Sequence, residues 1–113
     1  MDVDDLRTLF AAFPGVEEAP SYGTPGFRVR KKLLARLHQS EPAVVLRVED
    51  VEQQEALIAM DPKTFYITDH YQGYPYVLAR LRAKSRKRIL EVFESSWRSA
   101  APRKLVAEFD EGA

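Results

Sequence analysis

Two stretches of this chain contain no acidic residue and yet carry most of its positive charge. Residues 19–40 hold Arg28, Arg30, Lys31, Lys32 and Arg36, and residues 70–90 hold Arg80, Arg82, Lys84, Arg86, Lys87 and Arg88. All 17 Asp and Glu residues lie elsewhere, in a 113-residue chain whose formal net charge is zero. Segregation of this kind produces local fields that a neutral total conceals, and here it points to an anionic partner. Guanidinium forks grip phosphate oxygens through paired hydrogen bonds, and tyrosine rings stack on bases. Tyr66, Tyr71, Tyr74 and Tyr76, with His70, cluster around the second stretch. They could stack bases or close a small pocket, or form aromatic cross-strand pairs in a hairpin.

Other chemistries find little support. The absence of cysteine excludes disulfides, thiolate nucleophiles and Cys-based zinc sites. The two histidines, His38 and His70, stand at no metal-ligand spacing, and Asp69-His70 reads as a turn pair. No nucleophile elbow, P-loop, dinucleotide fingerprint or zinc-protease helix occurs. Tyr22-Gly23-Thr24-Pro25-Gly26 is too short to cradle a phosphate and has no helix after it. The expectation is a non-enzymatic protein without cofactor or metal. The acidic start MDVDDLRTLF is unlike a signal peptide, and no apolar run approaches the roughly 18 residues of a membrane span. A cytoplasmic location without membrane contact follows as the expectation.

The composition, 45% hydrophobic and 30% charged, suits one globular domain over residues 1–113, with an acidic tail from about 108 expected to fray. Asp2 caps a first helix carrying Val3, Leu6, Leu9, Phe10 and Phe13 at helical spacing, and Pro14-Gly15 ends it. Proline and glycine then make residues 14–26 read as a loop. From Phe27 the apolar period becomes two, through Phe27-Val29, Leu33-Leu37 and Val44-Val48, which predicts three antiparallel strands. Asp50 caps a second helix, with Gln53 three places on. Two more strands follow at Phe65–Thr68 and Tyr76–Leu81. A last strong helix starts at Ser85 with Ile89, Val92, Phe93 and Trp97 on its apolar face, and a short one carries Leu105, Val106 and Phe109. The order α-βββ-α-ββ-α(α) predicts an α+β domain of two layers, with helices on one sheet face.

Strand alternation divides the sheet. One face collects Phe27, Val29, Leu33, Ala35, Leu37 and the alternate apolar residues of the later strands. The other collects Arg28, Arg30, Leu34, Arg36, His38, Val45, Arg47, Tyr66, Thr68, Tyr76, Leu78, Arg80 and Arg82, with no carboxylate. A one-residue slip would exchange the faces. The arginine face suits an anion, yet long Arg side chains also cover open sheet surfaces without any ligand. Arg86, Lys87 and Arg88 fall in the first turn of the last strong helix. The helix dipole opposes cations there, and the free amides would favour a phosphate.

The chain resembles the MmcQ/YjbR family of small bacterial proteins over most of its length. The resemblance rests on Phe13-Pro14-Gly15-Val16-Glu17-Glu18, Tyr22-Gly23-Thr24-Pro25-Gly26, the run Phe27 to Ala35, Glu94-Ser95-Ser96-Trp97-Arg98 and Ala101-Pro102-Arg103-Lys104-Leu105. It implies an α+β fold with an antiparallel sheet, laid out like secretion chaperones in a double-wing arrangement, and DNA binding as the customary family label. Family members often carry Gly-Gly-Lys where this chain has Arg30-Lys31-Lys32, so a hairpin tip here gains charge. The leading expectation is therefore DNA binding by phosphate contacts from Arg28, Arg30, Lys31, Lys32, Arg36, Arg80, Arg82, Arg86, Lys87 and Arg88, with Tyr66 and Tyr76 stacking. Such contacts carry little sequence information. The alternatives are a homodimeric or protein-interaction module using the open sheet face and a small-molecule binder using Tyr71 and Tyr74.

Overall fold

A computed structural model describes residues 1–84 and 86–112. Asp2 opens α1 (Val3–Phe10) through a reciprocal capping box. Its carboxylate accepts the Asp5 amide at 2.9 Å, and the Asp5 carboxylate accepts the Asp2 amide at 3.0 Å. Helix α2 (Val51–Met60) is capped by Asp50, which accepts the Gln53 amide at 2.8 Å, but the box is not reciprocal, because the Gln53 side chain accepts the amide of Glu49 at 2.6 Å instead. Helices α3 (Arg86–Ala100) and α4 (Arg103–Gly112) close the chain. The cap expected at Ser85 lies outside the described residues.

Six strands form one antiparallel sheet in the order β1-β2-β3-β4-β6-β5. They are β1 (Val16–Ser21), β2 (Thr24–Val29), β3 (Lys32–Leu37), β4 (Ala43–Arg47), β5 (Phe65–Tyr66) and β6 (Tyr76–Arg80). The β1–β2 turn uses Tyr22 (φ 52) and Gly23 (φ 80), and the β2–β3 turn uses Arg30 (φ 49) and Lys31 (φ 71). Two successive positive φ values match the twist of the flanking strands, which is why two-residue hairpins favour this turn.

The two-layer α+β architecture is the one that the periodicities predict. Residues 14–26 correct the expectation of a loop, because they contain β1 and the start of β2. Strand β1 was hidden by its edge position: Glu17, Glu18, Ala19 and Pro20 are exposed and show no alternation. Pro20 is registered opposite Pro25. Proline lacks an N–H, and a sheet edge tolerates that loss. The C-terminal tail is likewise helical to Gly112 rather than frayed. Phe109 packs against Phe13 and Trp97 at centroid distances of 5.1 and 5.2 Å, and Arg98 grips Asp110 with bonds of 2.7 and 3.2 Å.

All four helices supply side chains to one core against one sheet face. Phe10 stacks on Phe93 at 3.8 Å and meets Phe27 edge-on at 5.0 Å. Trp97 is fully buried and donates its indole N–H to the Pro14 carbonyl at 2.9 Å. The expected face assignment of two leucines is reversed. A bulge follows the Phe27–Ala35 pair, so Arg28 is registered with Leu33 and Leu34 has no partner across the ladder. Leu34 turns into the main core with no exposure, and Leu33 moves to the opposite face.

Candidate nucleic-acid interface

The sheet face away from the helices is not flat. After β5 the chain crosses it in a 3-10 turn (Asp69–Tyr71), and Tyr71 lies 6% exposed over Ala43, Val45 and Leu78. Gln54, the one buried residue of α2, holds this crossing in place. Its side-chain amide donates to the carbonyls of Tyr71, Tyr74 and Tyr76 at 3.1, 2.8 and 2.7 Å. On the other side rises the β1–β2 hairpin, tipped by Tyr22. Between hairpin and crossing lies a concavity of about 630 Å³.

Arg28, Leu33, Arg36 and Val45 lie between the walls formed by Tyr22, Tyr71 and Tyr76. Arg36 donates to the Tyr71 hydroxyl at 2.6 Å and to the Leu37 carbonyl at 3.3 Å, and its guanidinium lies 5.5 Å from the Tyr22 ring centre. Arg28 donates to the Ser21 hydroxyl at 3.3 Å. Both arginines are half-buried, and neither joins an ion pair among the described residues. Glu17 is registered opposite Arg28 without pairing with it. Nearby, His38 Nδ1 accepts the amides of Ser40 and Glu41 at 3.1 and 2.9 Å. Its pKa is lowered, first by burial and then by the Arg36 charge. The floor of the concavity thus holds two unneutralised cations among neutral partners.

The remaining predicted contacts are placed elsewhere. Arg30 and Lys31 form the exposed tip of the β2–β3 hairpin. Lys32 lies on the helical side, beside Ser95 and Ser99 of α3. Arg80 is already engaged, 4.2 Å from the Tyr66 ring centre and donating to the Pro62 and Lys63 carbonyls at 2.9 and 3.4 Å. Arg82 lies beside it. The absence of carboxylates from the open face is also corrected. Beside Glu17 on β1, Glu41 from the β3–β4 turn accepts the Tyr66 hydroxyl at 2.9 Å. Burial, and then this hydrogen bond, push the Tyr66 pKa up to about 12.

Arg86 and Arg88 lie at the start of α3 with Lys87, and acids from distant parts of the chain reach two of them. Arg86 lies 3.6 Å from Asp5 and Arg88 3.3 Å from Asp61. Those pairings weaken the expected phosphate site at this helix end. At 1.5 Å per residue, about 20 Å of helix separates Arg86 from the Ser99 region beside Lys32. Lys32 and the start of α3 therefore lie on separate parts of the surface, whereas Arg36 and Arg80 share the open sheet face, two strands apart through β4. Tyr22, absent from the predicted contacts, joins the site because Tyr-Gly fills a two-residue hairpin turn. That X-Gly pair between extended runs was the available signal.

Among the described residues no group of three or more His, Cys, Asp or Glu could hold a metal, and no helix is long and apolar enough to cross a membrane. The fold and face together define a small α+β domain with helices on one sheet face and a basic, tyrosine-walled hollow on the other. A family model named YjbR matches residues 11–99, and the chain belongs to that family. It is 32% identical over 124 aligned residues to the uncharacterized proteins Rv2570 of Mycobacterium tuberculosis and Mb2600 of Mycobacterium bovis, covering 94% of this chain and 93% of each relative. The fold is similar to the crystal structure of Deinococcus radiodurans protein DR2400, a DUF419 domain. The TM-score is 0.70 with 20% identity, over 96% of this chain and 87% of the other.

Proposed function

We propose that this protein binds DNA through the open face of its sheet, holding phosphates rather than reading base sequence. The observation that carries the reading is the pair Arg28 and Arg36, half-buried in the hollow with hydroxyl and carbonyl partners in place of carboxylates. A partly desolvated cation without a counter-ion is unfavourable, and a bound phosphate removes that cost. Arg30 and Lys31 extend the positive surface at the hairpin tip. Arg80, Arg86 and Arg88, already engaged within the protein, contribute less.

Anisotropy of a labelled DNA oligonucleotide, titrated with protein between 50 and 200 mM salt, tests this. With about four phosphate contacts, the logarithm of affinity falls linearly against the logarithm of salt, with a slope of about −3.6 for a duplex and about −2.8 for a single strand. Arg30→Glu/Lys31→Glu makes that slope shallower and leaves the fold intact. Flat salt dependence, or no binding at low salt, refutes the proposal. If Arg28→Glu/Arg36→Glu dissolves a dimer seen by light scattering while DNA binding is absent throughout, the face is a self-association surface instead.

A further inference from the structure

Tyr22 is in an unfavourable place for a tyrosine. It takes φ 52 at the first turn position of the β1–β2 hairpin, where Asn, Asp or Gly is usual. A bulky residue at positive φ is strained, and burial often compensates. Here it does not, because Tyr22 is 77% exposed. Gln39 holds the turn by donating to the Tyr22 backbone carbonyl at 3.3 Å, and the Arg36 guanidinium lies 5.5 Å from the ring centre. Gly26, in the adjoining strand, keeps the floor low: a Cβ there would meet Ser21 Cβ at 2.8 Å and the Ala19 carbonyl at 3.1 Å.

The hollow has the dimensions of a small-molecule site, since about 630 Å³ falls within the 300–1,000 Å³ typical of such pockets. Its polar groups are sorted. Arg28 and Arg36 supply the floor, and Tyr22, Tyr71 and Tyr76 line the rim. A phosphate on that floor and a planar ring against the rim describe one nucleotide. Duplex DNA fits this poorly, because its phosphates lie on a stiff convex surface and its base faces are already stacked. An unpaired strand bends into a hollow and has free base faces.

We infer that the open face selects unpaired DNA, seating one nucleotide with its base stacked on Tyr22 and its phosphate on Arg28 and Arg36. This rests on the DNA-binding reading and narrows it.

The test uses the full chain, an eight-nucleotide oligo-dT, a hairpin duplex and free dTMP as competitor. Wild-type protein binds oligo-dT at least tenfold more tightly than the duplex. Tyr22→Asn separates stacking from structure, because asparagine suits the turn. It raises the unfolding midpoint yet weakens oligo-dT binding about tenfold, the scale of one lost stacking contact, and leaves duplex binding within twofold. Arg36→Gln weakens oligo-dT binding as well. Equal affinity for the two DNA forms, with Tyr22→Asn silent, overturns this inference and leaves the DNA-binding proposal standing. Failure of both forms to bind overturns the proposal itself. Competition by dTMP as strong as that by oligo-dT assigns the hollow to free nucleotides and overturns the strand reading.

Discussion

Replacing Gln54 with leucine is expected to destabilise the protein far more than a helix-surface substitution would. In the wild type one amide group faces three backbone carbonyls, those of Tyr71, Tyr74 and Tyr76, from a side chain that is 2% exposed. The amide has two hydrogens, so at most about two full hydrogen bonds exist, shared among three acceptors. Each is worth about 1 kcal/mol net, and a buried acceptor left without a donor costs about 1–3 kcal/mol. Leucine has similar volume and regains some apolar burial, and water can reach the exposed Tyr74 end. The expected loss is therefore about 2–4 kcal/mol. At roughly 4 °C per kcal/mol for a chain of this size, the melting midpoint falls by about 8–16 °C. Urea titration followed by Trp97 fluorescence measures the free-energy loss, with the denaturant midpoint shifted and the slope unchanged, and a thermal scan measures the fall in melting temperature. Hydrogen exchange at residues 72–77 should accelerate first, since that crossing loses its anchor. A loss below about 0.5 kcal/mol would refute the reasoning, because the crossing would then be held by Tyr71 packing alone.

Two further outcomes follow from the helical side. Gly15 sits at φ +76, and a Cβ there would approach Leu105 Cδ1 to 2.6 Å. Gly15→Ala should cost about 1–2 kcal/mol through strain at positive φ, read by chemical denaturation, while Gly23→Ala, with nothing within 4 Å of its Cβ, should report the backbone term alone. The second outcome concerns acid. The hydrogen bond from Arg98 holds the Asp110 carboxyl below its ordinary 3.8. A depressed folded-state pKa contributes stability that is complete above 3.8 and is lost as pH falls through the lower folded value. The Arg98–Asp110 pairing should therefore weaken below about pH 4, seen as a small change in Trp97 emission, and Asp110→Asn should reproduce that change at neutral pH. Unchanged emission down to pH 2 would contradict this.

What the sequence determined by itself is local. Caps at Asp2 and Asp50, the period-two runs of β2 to β4, and the Ile89-Phe93-Trp97 stripe each encode their element within a few residues, because the physics that selects them acts over one turn or one pleat. These features were enough for the α+β class with helices on one sheet face, and for Arg28 and Arg36 on the other face. The tertiary structure decided the rest. Strand β1 exists because β2 offers it a ladder, not because Val-Glu-Glu-Ala-Pro-Ser favours extension. One bulge exchanged Leu33 and Leu34, and period-two counting has no means of registering an inserted residue. Asp5, Asp61 and Glu41 neutralise or occupy basic and tyrosyl groups that looked free, although they are far from those groups along the chain. The charge-segregated stretches thus became a two-arginine hollow walled by tyrosines. Electrostatic partners are chosen by distance in space, which the linear order of charges does not record.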